Sequence, residues 1–517
     1  MKRRVILAIL DGWGIGRRDF TNPIHAVQPK NINYLKTHYF SGSLQASGIA
    51  VGLPWDEEGN SEVGHLNLGA GKVIYQHFPK ITLSIERGEF FKNPALLKAF
   101  AHAKAHSSAV HLIGLVSEGN VHASLEHLRA LMMFAKRVGC ENLNLQLFSD
   151  GKDSRPKSAI DLLGKIKKII NDAGVGAIVS LSGRFYALDR DGYWERTEKT
   201  YRVLTGTGET TEDLDAHIRK HYERGLSDEF IEPTMVAPHR PVKDNDALIF
   251  FNFREDSMRQ IAASFILKDF DKFPTQKFKN LYLVTMTHYA DNLAVPVAFA
   301  NETVDQPLGR VLSDNGRVQL RIAETEKYAH VTYFFNGYLE KPFANEYRVL
   351  IPSPGVARHD EAPEMMAREV AARTLEAIDA GGTDFILVNF ANPDVIAHTG
   401  NYDAALQAVL VVDEEIGRLS KACLNEEIVL LITSDHGNIE RMIDPLTGRA
   451  ETQHDPSLVP IYLVGRGFER PKSDWAIEIV EKEAVGILSD VAPTVLELMG
   501  LPKPAEMTGE SLLKVLR

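Results

Sequence analysis

Short apolar runs alternate with amphipathic stretches along nearly the whole chain. Apolar runs occupy residues 5–10, 384–390 and 428–433. Helical periodicity separates other runs, for example over 124–138 and 160–171. A middle set of apolar runs has the same character and covers 109–115, 143–148, 177–181, 247–251 and 281–286. Strands that alternate with helices predict an α/β fold with largely parallel sheets.

Metal-type side chains follow three of these runs at the point where each run ends. Asp11 follows the first run, Asp394 and His398 follow the second, and the Asp435-His436 pair follows the third, with His454 shortly after. Ligands of open parallel sheets gather outside the carboxyl ends of the strands. The pattern therefore predicts one metal site that is built from distant pieces of the chain.

The ligand types indicate which metals and which chemistry such a site supports. Asp394 and His398 are four residues apart, so one helical turn would place both on one face. Carboxylate and imidazole ligands suit Zn²⁺ or Mn²⁺. The number of ligands suggests a pair of ions, and paired ions stabilise the attacking and leaving oxygens of phosphoryl transfer.

A small glycine-bounded segment, 59–65, offers a candidate nucleophile. A serine in such a turn, here Ser61, can attack when a metal or a base activates its hydroxyl. The same sequence is also compatible with ordinary turn chemistry. Ser61 is therefore a nucleophile candidate only in combination with the metal-type residues.

The metal-type residues lie at both ends of the chain, which bears on domain organisation. We predict a domain formed by 1–77 and 302–517, with a second domain, 78–301, inserted into it. The alternative is two domains in series, which would separate Asp11 from Asp435 unless the domains packed across an interface.

Composition excludes several classes of protein. The chain has 517 residues, of which 44% are hydrophobic and 25% charged, as in soluble globular proteins. A net charge of −11 argues against a nucleic-acid surface. Two cysteines favour a reducing compartment, and no stretch approaches the ~20 apolar residues of a membrane helix. The basic N-terminus and the run at 5–10 imitate a signal peptide, but the run stops at Asp11, so a cytoplasmic location is expected.

Five sequence blocks together resemble the 2,3-bisphosphoglycerate-independent phosphoglycerate mutases of the alkaline phosphatase superfamily. They occur in the family's order and span most of the chain, at 11–14, 59–65, 321–332, 392–400 and 433–438. The resemblance implies an alkaline-phosphatase-like metal domain with a nested α/β substrate domain. It also implies interconversion of 3-phosphoglycerate and 2-phosphoglycerate, a step of glycolysis and gluconeogenesis.

The resemblance assigns roles to the metal-type residues. Asp394, His398 and His454 would hold one ion, and the other would be held by Asp11, Ser61, Asp435 and His436. Ser61 would carry the phosphoryl group in transit, and Lys327 would lie on that group as a fixed cation. The ions are expected to be Mn²⁺, with Zn²⁺, Co²⁺ or Mg²⁺ as alternatives.

Four loops after the middle apolar runs carry the expected substrate residues. A phosphorylated acid needs clustered cations, and arginine binds phosphate or carboxylate through two hydrogen bonds. By resemblance, the phosphoglycerate would be bound by His122, Lys152, Asp153, Arg184, Arg190 and Arg254. Asp153 would move protons on and off the glycerate hydroxyls. The glycerate would turn in place while closed domains exclude water from phospho-Ser61.

The substrate loops depart from the family pattern at several positions. Lys152 and Ser257 stand where arginine is common, Ser124 stands where histidine is common, and 117–120 reads Ser-Glu-Gly-Asn. A metal-dependent phosphohydrolase, a phosphomutase for another substrate and a catalytically inactive metal-binding protein remain alternatives. A two-domain enzyme of this kind needs no partner subunit, so a monomer is expected, with a small-molecule substrate.

Overall fold

The computed structural model describes residues 3–516, which form two compact units. The first, called the terminal unit, comprises the chain up to Gln76 together with the chain from Glu302 onward. The second, called the inserted unit, is His77–Asn301. Each unit has its own central sheet and its own apolar core.

Fifteen strands occur within residues 3–516. They are β1 Val5–Leu10, β2 Phe40–Gln45, β3 Val110–Val116, β4 Leu143–Ser149, β5 Ala177–Gly183, β6 Glu209–Thr211, β7 Thr234–Val236, β8 Ala247–Phe250, β9 Tyr282–Thr285, β10 Gln319–Glu324, β11 Glu346–Ile351, β12 Phe385–Phe390, β13 Val429–Thr433, β14 Val459–Val464 and β15 Gly486–Ile487.

Eighteen α-helices occur in the same described range. They are α1 Pro23–Val27, α2 Lys30–His38, α3 Ser61–Ala70, α4 His77–Glu86, α5 Pro94–Ala105, α6 Leu125–Arg137, α7 Ala159–Ala173, α8 Arg184–Ala187, α9 Trp194–Leu204, α10 Leu214–Glu223, α11 Arg259–Ile266, α12 Leu308–Asp314, α13 Thr325–Ala329, α14 Ala367–Ala380, α15 Asn392–Ala397, α16 Tyr402–Asn425, α17 Asp474–Lys482 and α18 Val491–Leu498.

The terminal unit is built on an eight-stranded sheet in the order β11-β10-β12-β1-β13-β14-β2-β15. The first five of these strands run parallel, and β14 is antiparallel to both of its neighbours. β1 is fully buried between β12 and β13. Because these three strands are parallel neighbours, the residues after Leu10, Phe390 and Thr433 emerge at one edge of the sheet.

The inserted unit is built on a seven-stranded sheet in the order β6-β7-β5-β4-β3-β8-β9. Strands β5, β4, β3, β8 and β9 run parallel, and β7 is antiparallel to β5. The loops after β3, β4, β5 and β8 therefore leave the same edge of this sheet, and they carry the residues that the sequence assigned to substrate.

The predicted strands are confirmed to within two residues at each end, and so are both predicted helices, as α6 and α7. The first apolar run is a buried strand. Seven described strands were not predicted from the sequence. β2, β6, β7 and β15 are polar or only two or three residues long, whereas β10, β11 and β14 are six residues long and were also missed. The α/β fold class is confirmed.

The two cysteines are free thiols. Burial raises the pKa of the Cys423 thiol to about 12 and that of Cys140 to about 11, so both are protonated and unreactive at neutral pH. Among the described helices, none combines the length and the apolarity that crossing a bilayer requires.

Candidate metal and phosphoryl-transfer site

Two groups of possible metal ligands form at the carboxyl edge of the terminal sheet. One consists of Asp394, His398 and His454, and the other of Asp11, Asp435 and His436. Within each group the ligand atoms lie within 4.8 Å of one another. α15 contains Asp394, and His398 caps its end, so the four-residue spacing places both on one helical face as predicted.

Backbone carbonyls fix the orientation of the three imidazoles. Nδ1 of His398 lies 2.9 Å from the Thr452 carbonyl, and Nδ1 of His454 lies 2.7 Å from the Gly59 carbonyl. Nδ1 of His436 lies 3.2 Å from its neighbour's carbonyl. Each Nδ1 is therefore the protonated nitrogen when the ring is neutral, which leaves Nε2 as a free ligand atom.

Ser61 is the first residue of α3, and its hydroxyl contacts the group of Asp11, Asp435 and His436. Its Oγ donates to Asp11 Oδ1 at 3.1 Å and lies 2.9 Å from His436 Nε2. Asn60 caps the helix by accepting from the Val63 amide, which fixes the first turn and hence the serine. The side chain is buried, with 7% exposed.

Lys327 connects the two carboxylate groups and the serine. Its Nζ lies 2.6 Å from Asp11 Oδ1, 2.6 Å from Asp394 Oδ2 and 2.7 Å from Ser61 Oγ. Burial by itself would lower the pKa of this ammonium, but Asp11 and Asp394 outweigh burial and raise it. Lys327 is thus a permanent buried cation.

The carboxylates are charged although they are buried. Burial would raise the pKa of Asp394 and of Asp435, but Lys327 and His436 lower the first, and His436 and His65 lower the second. Burial would likewise depress the pKa of His436, but Asp435 and Asp394 raise it to about 10. Without a bound ion, a proton on His436 therefore neutralises part of this negative cluster.

The residues present fit divalent cations. Three buried carboxylates converge on three imidazole Nε2 atoms, and such mixed oxygen and nitrogen ligands suit Mn²⁺, Zn²⁺ or Co²⁺. Asp435 Oδ2 is buried and accepts no well-aligned hydrogen bond from the described residues, although His65 Nδ1 lies 3.1 Å away. Buried polar atoms normally have partners, so this oxygen is available to an ion.

Close approach of α3 to the sheet requires glycine. A Cβ at Gly64 would lie 2.5 Å from the Asp435 carbonyl oxygen, and one at Gly59 would lie 2.1 Å from the Ala46 carbonyl oxygen. Gly12 has φ +70°, and a Cβ there would lie 2.8 Å from the Asp394 Cβ. Glycines therefore allow the serine helix and the Asp11 turn to contact the ligand loops.

Several site residues were not singled out from the sequence. Asn438 donates to Asp394 Oδ1 at 2.8 Å, and Asn389 donates to Asp11 Oδ2 at 2.7 Å. His65 Nδ1 lies 3.1 Å from Asp435 Oδ2. Asn438 and His65 lie inside the family-like blocks 433–438 and 59–65, and membership of these blocks could have identified them as site residues. Asn389 lies inside an apolar strand, where the isolated amide was the only signal.

The inserted unit brings its predicted substrate residues into one cluster. Arg184 lies 2.5 Å from Asp150 and 2.6 Å from Asp153, and its other nitrogen donates to His122 Nε2 at 2.9 Å. Because His122 Nε2 accepts, Nδ1 carries the proton and donates to Ser257 Oγ at 2.9 Å. Burial, Arg184 and Arg254 lower the pKa of His122 to about 4, so the ring is neutral.

The remaining cations of this cluster are more exposed. Arg190 and Arg254 share Asp256, at 2.5 Å and 3.1 Å. Backbone amides of Phe253 and Arg254 donate to the His122 carbonyl, which holds this loop beside the histidine. Lys152 is exposed, and its ammonium has no partner among the described residues. All three arginines are thus preorganised by carboxylates, and Lys152 is the unpaired cation.

Comparison with known proteins agrees with this arrangement. Residues 81–291 match the family BPG-independent PGAM N-terminus, and residues 306–442 match the family type I phosphodiesterase / nucleotide pyrophosphatase. The expected alkaline-phosphatase-like metal domain with a nested α/β domain is consistent with these two matches.

Curated relatives extend the match over the whole chain. A 2,3-bisphosphoglycerate-independent phosphoglycerate mutase of Clostridium novyi (strain NT) is 45% identical over 99% of this chain and 100% of its own length. The corresponding protein 1 of Methanosarcina barkeri (strain Fusaro / DSM 804) is 43% identical over 99% and 98%. The crystal structure of Leishmania mexicana phosphoglycerate mutase at low cobalt concentration is 26% identical, with a TM-score of 0.52 over 99% and 97% of the two chains. The chain belongs to the family of 2,3-bisphosphoglycerate-independent phosphoglycerate mutases.

Proposed function

We propose that this protein interconverts 3-phosphoglycerate and 2-phosphoglycerate through a phosphorylated Ser61, without bisphosphoglycerate. The observation that carries the proposal is the placement of the Ser61 hydroxyl. Its oxygen is within 3.1 Å of Asp11, His436 and Lys327, and Lys327 also contacts Asp394 of the second group of candidate metal ligands. The reaction is a step of glycolysis and gluconeogenesis.

Two divalent ions would complete the site. Asp394, His398 and His454 would hold one, and the other would be held by Asp11, Ser61, Asp435 and His436. When bound, such ions lower the effective pKa of a coordinated hydroxyl and neutralise phosphoryl charge. Mn²⁺ is the proposed metal, and Zn²⁺, Co²⁺ or Mg²⁺ would satisfy the same ligands.

The chain's own groups account for the proton and the charge on the serine side. The Ser61 hydroxyl donates to Asp11 Oδ1, so this carboxylate is positioned to take the proton as Oγ bonds to phosphorus. The bond between phosphorus and the glycerate 3-oxygen then breaks. Lys327 cannot release its proton at neutral pH, so it stays a fixed positive charge beside the transferring group.

The inserted unit would bind and orient the glycerate. Arg184, Arg190 and Arg254 would bind the substrate's anionic groups, and unpaired Lys152 would add a positive charge. Asp153, half-buried beside Arg184 and His122, would give a proton to the departing oxygen and take one from the 2-hydroxyl for the return transfer. Neutral His122 would accept from Arg184 and so hold that guanidinium in place.

We also propose that the protein acts in the cytoplasm as a monomer on small molecules, without nucleic-acid or membrane partners. The support is chemical. The net charge of −11 disfavours polyanions, and both cysteines are free thiols.

Phosphorus NMR tests the proposed function. 3-Phosphoglycerate is incubated with the protein and Mn²⁺, and no bisphosphoglycerate is added. The signal of 2-phosphoglycerate should appear alone, and the Ser61→Ala variant should give none while keeping its metal content. Inorganic phosphate as the product would indicate a phosphohydrolase. An unchanged spectrum with metal bound would exclude phosphoglycerate as substrate.

A further inference from the structure

Glu440 is a buried carboxylate that belongs to neither group of possible metal ligands. It lies in the loop after β13, four residues beyond His436, and its side chain is 1% exposed. Glutamate is almost never fully buried unless its oxygens have partners. The partners of this side chain therefore indicate its role.

One oxygen of Glu440 joins two loops that carry candidate ligands. Oε2 accepts from the Gly14 amide at 2.9 Å and from the Asn438 amide at 2.8 Å. Gly14 lies three residues after Asp11, and Asn438 lies two residues after His436. Buried backbone N–H groups need an acceptor, and here both find the same one. Glu440 Oε2 thus connects the loop after β1 with the loop after β13.

Asn438 extends this connection to the other group of possible ligands. Its Nδ2 donates to Asp394 Oδ1 at 2.8 Å and lies 3.3 Å from His398 Nε2. The backbone amide of the same residue is bound by Glu440, so the carboxylate also helps to direct this side chain towards α15. Within residues 3–516, Glu440 itself forms no hydrogen bond or ion pair with a candidate ligand.

The backbone of both loops packs closely around this side chain. A Cβ at Gly14 would lie 2.1 Å from Glu440 Oε1, and a Cβ at Gly437 would lie 2.2 Å from the same oxygen. A Cβ at Gly16 would lie 2.8 Å from Glu440 Cγ. The three glycines therefore let the two loops enclose the carboxylate, which leaves it little room to change its conformation.

The length of this side chain is a more useful property than its charge. The second oxygen, Oε1, is buried and has no hydrogen-bond partner among the described residues. Burial and the nearby Asp455 carboxylate raise the pKa of Glu440 to about 7, so its surroundings disfavour the charged form. What the two loops use is an acceptor oxygen at the position of Oε2.

We infer that Glu440 is a positioning residue of the candidate metal site, because its Oε2 sets the spacing between the Asp11 loop and the Asp435-His436 loop. Both ions would then meet ligands that are already in place. Residues that orient metal ligands typically change metal affinity 10–100-fold when they are replaced. The inference rests on the ion sites proposed above and does not depend on the identity of the substrate.

Two conservative variants separate length from charge. Glu440→Asp keeps the carboxylate but withdraws it from both amides by one methylene, whereas Glu440→Gln keeps the length and an acceptor oxygen but has no charge. Metal-free protein is titrated with Mn²⁺ in a calorimeter. We expect the aspartate variant to bind Mn²⁺ about tenfold to a hundredfold more weakly, and the glutamine variant to bind as the wild-type protein does.

A second measurement needs no metal. Hydrogen exchange of the metal-free protein, followed by mass spectrometry, should show faster exchange at the Gly14 and Asn438 amides in the aspartate variant only. Glu415→Asp is the control, because Glu415 is equally buried but binds Arg368 and Arg418. It should lower the melting temperature and leave both Mn²⁺ affinity and these amides unchanged.

Three results would overturn the inference. Wild-type Mn²⁺ affinity in the aspartate variant would show that the two loops do not need Glu440. Equal weakening in both variants would assign the effect to the charge. Absence of Mn²⁺ binding by the wild-type protein would refute the proposed ion sites and this inference with them, whereas the first two results leave those sites intact.

Discussion

At the residue scale, Lys327 is a buried cation whose charge is balanced by buried carboxylates. Three buried carboxylates with lowered pKa values surround it, and Asp11 and Asp394 are in direct contact with it. Removing one partner of a buried ion pair leaves an uncompensated charge, which costs about 3–5 kcal/mol. This single cation therefore stabilises the fold, and in the proposed mechanism it also lies beside the transferring phosphoryl group.

Lys327→Met should lower turnover about a hundredfold or more, as removal of a preorganised charge at a reacting group does. It should also destabilise the metal-free protein more than the metal-bound protein, because bound ions compensate the carboxylates. Steady-state rates and denaturant unfolding with and without a chelator measure these effects. Lys341→Met, at an exposed position, is the control. Equal destabilisation in both states would contradict this account.

Ser257 replaces an expected cation with a hydrogen-bond acceptor. It is buried and accepts from His122 Nδ1, which leaves Nε2 free to accept from Arg184. The substitution therefore keeps the histidine in the tautomer that positions Arg184, although it supplies no charge of its own.

Ser257→Ala should raise KM for phosphoglycerate about fivefold to tenfold and change kcat little, since one buried hydrogen bond of about 1–1.5 kcal/mol is lost. Ser264→Ala is a matched control in the same unit, because Ser264 is buried but bonds only to its own helix. A fall in kcat with unchanged KM would show that Ser257 does not act through substrate binding.

At the scale of elements, the position of α3 determines where Ser61, the proposed nucleophile, lies. The helix contacts the Asp435 loop through Gly64, where a Cβ would be 2.5 Å from a carbonyl oxygen. The obstacle is the Asp435 backbone, which cannot shift aside as a flexible side chain could. Any side chain at position 64 must therefore displace the helix. The first residue of that helix is Ser61.

Gly64→Ala should destabilise the protein by about 1–3 kcal/mol, as overpacking does, and should lower kcat because Ser61 moves with the helix. Gly164→Ala is the control. It also lies inside a helix, but its Cβ would meet open space, so the better helix propensity of alanine should stabilise by about 0.5–1 kcal/mol. Denaturant unfolding measures the free energy of unfolding of both variants and so distinguishes the expected loss from the expected gain. A stable and fully active Gly64→Ala variant would contradict the close contact.

At the scale of the whole molecule, the metal-free protein couples ion binding to pH. The pKa of His436 is raised to about 10 in the metal-free state, so the ring is protonated throughout the neutral range. An ion can use Nε2 only after that proton leaves. Proton release therefore accompanies metal binding at neutral pH.

Metal affinity should rise about tenfold for each pH unit between about pH 6.5 and 9, since one proton competes with the ion. The folding stability of the metal-free protein has the opposite pH dependence. The raised pKa means that His436 stabilises the fold fully below about pH 6.5, and this contribution is lost as pH approaches about 10. Chelator competition and unfolding across this range measure both trends. Metal affinity independent of pH would exclude a proton on His436.

The residues that form the two candidate metal groups were predicted from the sequence, and their network of contacts was not. Strand ends pointed to Asp11, Asp394 and Asp435 because parallel strands expose their carboxyl ends at one edge. The supporting residues were harder to find. Asn389 is an amide within a buried strand and bonds to Asp11, a contact that no local pattern encodes. The short strands β6 and β7 were missed because three residues carry too little periodicity.

The sequence by itself determined the fold class, eight of the described strands, two of the described helices, the candidate metal-type residues and the family. Periods of two and 3.6 residues and contiguous motifs are local properties, so they survive in a one-dimensional pattern. Only the tertiary structure decided that Lys327 lies 2.7 Å from Ser61, 266 positions away, and that Ser257 supports His122. Such contacts depend on how strands, loops and α3 pack together. Packing of parts distant in sequence sets distances and pKa values that no local pattern contains.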